Sequence, residues 1–154
     1  MVQEQTLVVV DASVVLKWQF NDEESILQAA SLRDDYYVRG TVKAIAPQLL
    51  TYEVVNGLIT AVKRKRISSN EAVQAMGNFL ALGIELRAVE ALRLTEIALN
   101  SGLTAYDAAY LALAEDEQCD LWTGDGAFYK AVKDSSPRVK WIGDYTREMD
   151  QHIK

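Results

Sequence analysis

The sequence predicts an α/β fold, a mainly parallel sheet of roughly five strands with helices on both sides. Three observations predict it. Leu7-Val8-Val9-Val10 is a short apolar run without polar alternation, the pattern of a strand buried on both faces of a parallel sheet. Comparable short runs then alternate with helical patterns to the end of the chain, as right-handed crossovers require. The 154 residues, 49% hydrophobic and 25% charged, suffice for a sizeable core. No repeat, low-complexity segment or linker marks a second unit, so a single domain over 1–154 is expected.

The first strand runs into Asp11, and a helix follows. Val14 to Phe20 is apolar with Lys17 and Gln19 interposed, and Asn21-Asp22-Glu23-Glu24 has the form of a helix start, an Asn cap with acids in the first turn. Ile26, Leu27, Ala30 and Leu32 give that helix an apolar face, and Gly40-Thr41 ends the segment. Lys43 to Ala46 is a second strand, closed by Pro47. Gln48 to Arg66 carries Leu49, Val54, Val55, Leu58, Ile59 and Val62 at helical spacing and ends in Lys63-Arg64-Lys65-Arg66, where cations suit the helix dipole. Ser68-Ser69-Asn70 caps a helix from Glu71 to Leu82, with Gly83 as its stop.

Ile84 to Val89 reads as a third strand, and Glu90 to Asn100 as a helix ending at Ser101-Gly102. Thr104 opens an almost wholly apolar, hence buried, helix to about Gln118. Leu121-Trp122-Thr123 is a fourth strand, and Gly124-Asp125-Gly126 turns the chain into a short helix, Ala127 to Lys133. After a loop at Ser135-Ser136-Pro137, Val139 to Ile142 is a fifth strand; the tail from Gly143 is helical or loose.

Sixteen Lys and Arg against 22 Asp and Glu give a net charge of −6, which does not advertise affinity for bulk nucleic acid but suits clustered acids and a metal. Cys119 is the one cysteine, so no internal disulfide forms, and it reads as a small buried residue. No apolar run approaches the roughly 20 residues of a membrane span and the N-terminus has no leader pattern, so a soluble cytoplasmic protein with no membrane partner is expected.

Four acids stand out by position. In open α/β sheets ligands bind beyond the carboxyl ends of the strands, where both Asp11 and Asp125 lie. Each also has a structural reading: Asp11 as a helix N-cap, Asp125 as half of an Asp-Gly turn. Glu53 sits among Leu49, Leu50, Val54 and Val55 on its helix, at the edge of a buried face where a carboxylate needs a cation. Thr104 and Asp107 have the spacing of a capping box, with Asp in place of the usual Glu or Gln.

Taken together, these segments resemble the PIN-domain ribonucleases, especially the VapC-type toxins of toxin–antitoxin pairs. Val10-Asp11-Ala12-Ser13 resembles the first family motif and Tyr52-Glu53-Val54-Val55-Asn56 the second. Thr104 to Tyr110 with Leu113-Ala114 resembles the third, and Thr123-Gly124-Asp125-Gly126-Ala127-Phe128 the fourth. The resemblance covers about Val8 to Ile142. It implies a three-layer α/β/α PIN-like fold, and a metal-dependent endoribonuclease toxin silenced by a cognate antitoxin. It further implies that Asp11, Glu53, Asp107 and Asp125 are the catalytic, metal-binding acids, with Ser13 and Thr123 as supporting hydroxyls. Asn56 matches the pattern without an assigned role.

Oxygen ligands of this kind suit Mg2+ or Mn2+, which activate water and need no protein nucleophile. His152, the only histidine, reads as solvated in the tail, and Ser13 has no histidine base. Lys63 to Arg66 reads either as a solvated helix end or as a contact to RNA backbone. Trp18, Trp122 and Trp141 read as core or interface. A homodimer is expected from the resemblance, with Trp18, Tyr36 and Tyr37 as exposed apolar support. Two other classes compete: a non-catalytic PIN-like module binding RNA or protein, and an aspartyl-phosphate phosphotransfer domain. The latter fits poorly, because a haloacid-dehalogenase-type site wants a second Asp where Ser13 stands.

Overall fold

The computed structural model describes residues 4–147. In chain order its elements are β1 (Thr6–Val10), α1 (Ala12–Lys17), α2 (Ile26–Tyr37), β2 (Val42–Pro47), α3 (Leu50–Lys63), α4 (Ser69–Ala81), β3 (Glu85–Arg87), α5 (Ala91–Ser101), α6 (Ala105–Glu117), β4 (Asp120–Thr123), α7 (Gly126–Val132) and β5 (Val139–Trp141), followed by a 3-10 turn at Ile142–Asp144. The strands form one sheet in the order β3-β2-β1-β4-β5, and every neighbouring pair is parallel. Right-handed crossovers then put α1 to α4 on one face and α5 to α7 on the other. In keeping with this, α1 packs on α2 and α3, while α5 packs on α6. The result is the expected three-layer α/β/α architecture.

The core follows from composition. Val8, Val9 and Val10 are at most 3% exposed because helices cover both faces of the central strand. Ile45 and Leu121 on the flanking strands and Leu32, Leu50 and Val54 on the helices complete it. Helix α6 buries Ala108 through Ala114 without a break. Buried Asp35 accepts from Arg39 at 2.5 Å and from the Tyr145 hydroxyl at 2.6 Å, fastening α2 to the segment after β5.

Four expectations are corrected. No helix starts at Asn21; α2 begins at Ile26, with Ser25 as a left-handed cap (φ 60°). The acids read as its first turn are drawn away by tertiary contacts. Arg66 pairs with Asp22 at 2.7 Å and Glu23 at 3.1 Å, and buried Lys17 donates to the Glu24 carbonyl at 2.7 Å. Helix α3 accordingly stops at Lys63, and the Arg66 guanidinium lies 4.4 Å from the Phe20 ring centroid instead of lengthening the helix end. Third, β3 and β5 are three-residue strands, shorter than the runs that suggested them. Fourth, Trp18 and Tyr36 are not exposed apolar support: they pack on the core, donating to the carbonyls of Ala29 and Leu82. Tyr37 alone of the three is exposed. The expectation for His152 falls outside the described residues.

Candidate active site

The sheet reverses its winding at β1 and β4, which pair Val10 with Trp122. The crevice beyond their carboxyl ends is the ligand position of such sheets, and it is walled by Asp11 on one side and Thr123 to Asp125 on the other.

Asp11 is both things its sequence allowed. It is the N-cap of α1, with Oδ1 accepting the Val14 N–H at 3.2 Å, and it is a buried carboxylate at the strand end. Ser13 donates its proton to the same Oδ1 at 2.5 Å, and its oxygen accepts the Gly124 N–H at 2.7 Å. Thr123 is fully buried; its hydroxyl lies 3.5 Å from Ser13 Oγ and accepts the Asp125 N–H at 3.0 Å. Asp125 caps α7 through Oδ1, which accepts the Phe128 N–H at 3.1 Å. One hydrogen-bonded unit thus joins the ends of β1 and β4. The two hydroxyls read as supporting are its linkers.

Glu53 enters from the first turn of α3. Its Oε1 accepts a 2.6 Å hydrogen bond from the hydroxyl of Tyr110, a residue of α6 that is itself buried. Sequence reasoning missed Tyr110, submerged in an apolar helix. The signal available was that a buried tyrosine needs a partner for its hydroxyl. Asp107 lies one turn N-terminal to Tyr110. Its backbone N–H donates to Thr104 Oγ1 at 3.2 Å, but the return bond of a capping box is absent. The complete box occurs elsewhere, where Glu71 accepts the Ser68 N–H and donates its own to Ser68. The Asp107 carboxylate is therefore not consumed by capping.

Electrostatics tie the four acids into one cluster. Burial pushes Asp11 up to about 6 from an ordinary 3.8, against the hydrogen bonds that favour its charged form, and the Asp125 charge adds to the rise. Glu53 is raised first by burial, then by the charges of Asp107 and Asp125, with the Tyr110 bond opposing. Asp107 is raised by burial and by Asp125. Asp125 thus acts on all three others. Among the described residues, none of the four carboxylates forms an ion pair with Lys or Arg. Lys17, whose Cε would lie 2.6 Å from a Cβ on Gly124, turns its ammonium toward Glu23 and Glu24 instead.

Among the described residues, no three Asp, Glu, His or Cys side chains converge tightly enough to ligate one ion by themselves. A hard divalent ion can be held by one or two carboxylates, with waters and substrate phosphate completing its coordination. An all-oxygen donor set with a buried, charge-crowded carboxylate and no cation beside it fits a hard divalent ion. Asn56 lines the same open cavity as Ser13 and Glu53, whereas Lys63 lies at the opposite end of α3.

Residues 8–134 match the family described as PIN domain. The chain is 32% identical to VapC ribonuclease Mb0985 of Mycobacterium bovis over 121 residues, 77% of this chain and 86% of that protein. It is 31% identical to Ribonuclease VapC12 of Mycobacterium tuberculosis over 120 residues, 78% of this chain and 88% of that protein. Its fold is similar to the crystal structure of PAE2754 from Pyrobaculum aerophilum, with a TM-score of 0.63 at 20% identity, covering 89% of this chain and 90% of that one.

Proposed function

Because the chain belongs to the PIN domain family, we propose that it is a VapC-type toxin, an endoribonuclease that hydrolyses RNA phosphodiester bonds at the four-acid crevice with Mg2+ or Mn2+. The observation that carries the reading is the electrostatics of these acids: burial raises Asp11, Glu53 and Asp107, the Asp125 charge adds to the rise of each, and among the described residues no Lys or Arg pairs with any of the four. The names of the curated relatives supply the ribonuclease activity.

In this reading Asp11 and Asp125 would hold the ion at the strand ends, with Glu53 and Asp107 contributing from α3 and α6. Such an ion supplies an activated water near neutral pH and positive charge beside the phosphate. The protein's own part is orientation. Ser13 fixes the Asp11 carboxylate, Thr123 lies against the Ser13 hydroxyl, and Tyr110 fixes Oε1 of Glu53. Ser13 donates a hydrogen bond to Asp11 and accepts one from the Gly124 N–H, so its hydroxyl links the two strand ends. Without a cation the acids repel phosphate, which makes substrate entry depend on the loaded site.

The same reading brings a cognate antitoxin, a cytoplasmic place of action where RNA is found, and self-association as a homodimer, with the whole chain acting as one domain. Support for a protein partner is an apolar groove of about 440 Å³ between α3 and α4, walled by Val55, Ile59, Val73 and Met76 with Lys63 at its rim. Exposed apolar surface of this kind marks an interaction site, and an apolar antitoxin segment carrying an acid opposite Lys63 fits it. Among the described residues, no helix is long and apolar enough to cross a membrane.

The test is RNA cleavage by purified protein with Mg2+ or Mn2+, with chelator, and by Asp11→Asn. Cleavage that needs the metal and is lost in the variant is expected. Full cleavage in chelator, after removal of contaminating nuclease, refutes the mechanism. A protein that binds RNA and never cuts it, with either metal, is the non-catalytic module.

A further inference from the structure

We propose that Tyr52 and Tyr106 form a stacking site for one unpaired nucleobase of the RNA, beside the acidic cluster; the proposal rests on the ribonuclease reading above. The two residues are neighbours in sequence of site acids, Tyr52 of Glu53 and Tyr106 of Asp107. They come from α3 and α6, helices on opposite faces of the sheet, yet they line one open cavity of about 490 Å³ together with Glu53 and Ser13. Tyr52 is 80% and Tyr106 is 66% exposed. Neither belongs to the core cluster, to a ring pair or to a hydrogen bond among the described residues. The fold therefore displays two large aromatic rings at the mouth of its acidic crevice with no structural employment for either.

The chemistry of the cavity selects its occupant. A phosphate is repelled by Glu53 unless a cation intervenes. A nucleobase presents π-faces to the two rings and polar edges that the exposed Asn56 amide, with its donors and acceptor, matches. Gly57 lets Leu16 of α1 pack directly against α3 at the cavity wall, since a Cβ there would come within 2.5 Å of Leu16 Cδ1. A paired base inside a duplex has no free face, whereas bases of loops and single strands splay out onto aromatic side chains. Position favours RNA over a protein partner, because the cavity shares Glu53 and Ser13 with the catalytic crevice.

The test uses the full chain in Mg2+ and a single-stranded oligoribonucleotide carrying 2-aminopurine, whose fluorescence is read on first mixing, alongside steady-state cleavage. Tyr52→Leu and Tyr106→Leu are expected to keep the wild-type melting temperature, to abolish the quenching on binding, and to raise KM by roughly fivefold to a hundredfold with kcat little changed. The Phe variants, which keep the ring, are expected to behave as wild type. Placing an abasic nucleotide at each position around the cut in turn is expected to find one at which the Leu variants lose their penalty. Leu variants that quench and cut as wild type overturn the proposal. So do Leu variants that bind RNA normally but change the sedimentation of the protein, since the rings then belong to a protein interface. Wild-type protein that quenches the probe but cuts nothing leaves the stacking site standing and removes the nuclease reading. Cleavage indifferent to both tyrosines does the reverse.

Discussion

The hydroxyl of Tyr110 donates a 2.6 Å hydrogen bond to Oε1 of Glu53, joining residues 57 positions apart on helices from opposite faces of the sheet. It orients one oxygen of the carboxylate. Tyr110→Phe keeps the buried ring and removes only this bond, and is expected to cost about 1.5–3 kcal/mol, the range for a hydrogen bond to a charged group. If the bond also presents Glu53 to the ion, the variant's gain in melting temperature on adding Mn2+ shrinks. Thermal melts with and without Mn2+ measure both effects. An unchanged Mn2+ response would reduce Tyr110 to a packing residue.

Asp107 separates two roles. Its carboxylate is not engaged in the cap, although its backbone N–H is. Asp107→Asn is therefore expected to leave metal-free stability unchanged or raised, since repulsion from Asp125 is relieved. Its stabilisation by Mg2+ is expected to shrink, and RNA cleavage to fall steeply. Earlier melting with a full Mg2+ response and intact cleavage would return Asp107 to the role of a helix-start residue.

The buried Asp11 makes metal-free stability depend on pH with a definite sign. Its folded value of about 6 lies above the ordinary 3.8, so between those pH values the folded state binds more protons than the unfolded state. Stability from this group is greatest below pH 3.8 and declines as pH rises, by about 3 kcal/mol once pH passes 6. Asn is as good an N-cap as Asp, so Asp11→Asn removes the titration and keeps the cap. Denaturant unfolding in chelator from pH 4 to 7.5 is expected to show the variant gaining on wild type as pH rises. A constant difference across that range contradicts the burial of this charge.

The groove between α3 and α4 yields an independent prediction. Ile59 and Val73 are 46% and 74% exposed, so Ile59→Asp and Val73→Asp lie outside the core and are expected to shift stability by about 0.5 kcal/mol or less. They should leave RNA cleavage intact while weakening inhibition by an antitoxin peptide at least tenfold. Undiminished inhibition would move the partner surface elsewhere.

The parallel sheet and the acids at its carboxyl edge were legible because their signals are local. An unbroken β-branched run ending in Asp11 admits few structures, and Asp-Gly after Leu121-Trp122-Thr123 marks the end of a second such strand. The start of α2 was not legible, because good capping chemistry at Asn21-Asp22-Glu23 was overridden by Arg66, 43 or 44 residues away. The ordering of Glu53 was hidden for a similar reason: in sequence Tyr110 is one more apolar letter in α6, and only the packing of α6 against the sheet reveals where its hydroxyl goes. Trp18 and Tyr36 misled in the opposite direction, since a large ring in an amphipathic segment does not announce which side faces inward.

The pairing of β1 with β4 has a consequence during synthesis. Asp11 is made early, but the strand that completes its crevice begins at Asp120, and Asp125 follows it. A ribosome at work on the chain therefore carries a nascent polypeptide that already has the first acid and no crevice around it. Asp125, the last of the four acids, follows 124 other residues, and the pairing of β1 with β4 joins residues more than a hundred positions apart. A message truncated before Asp125 therefore yields a product that has the first three acids and lacks both the fourth and the helix it caps.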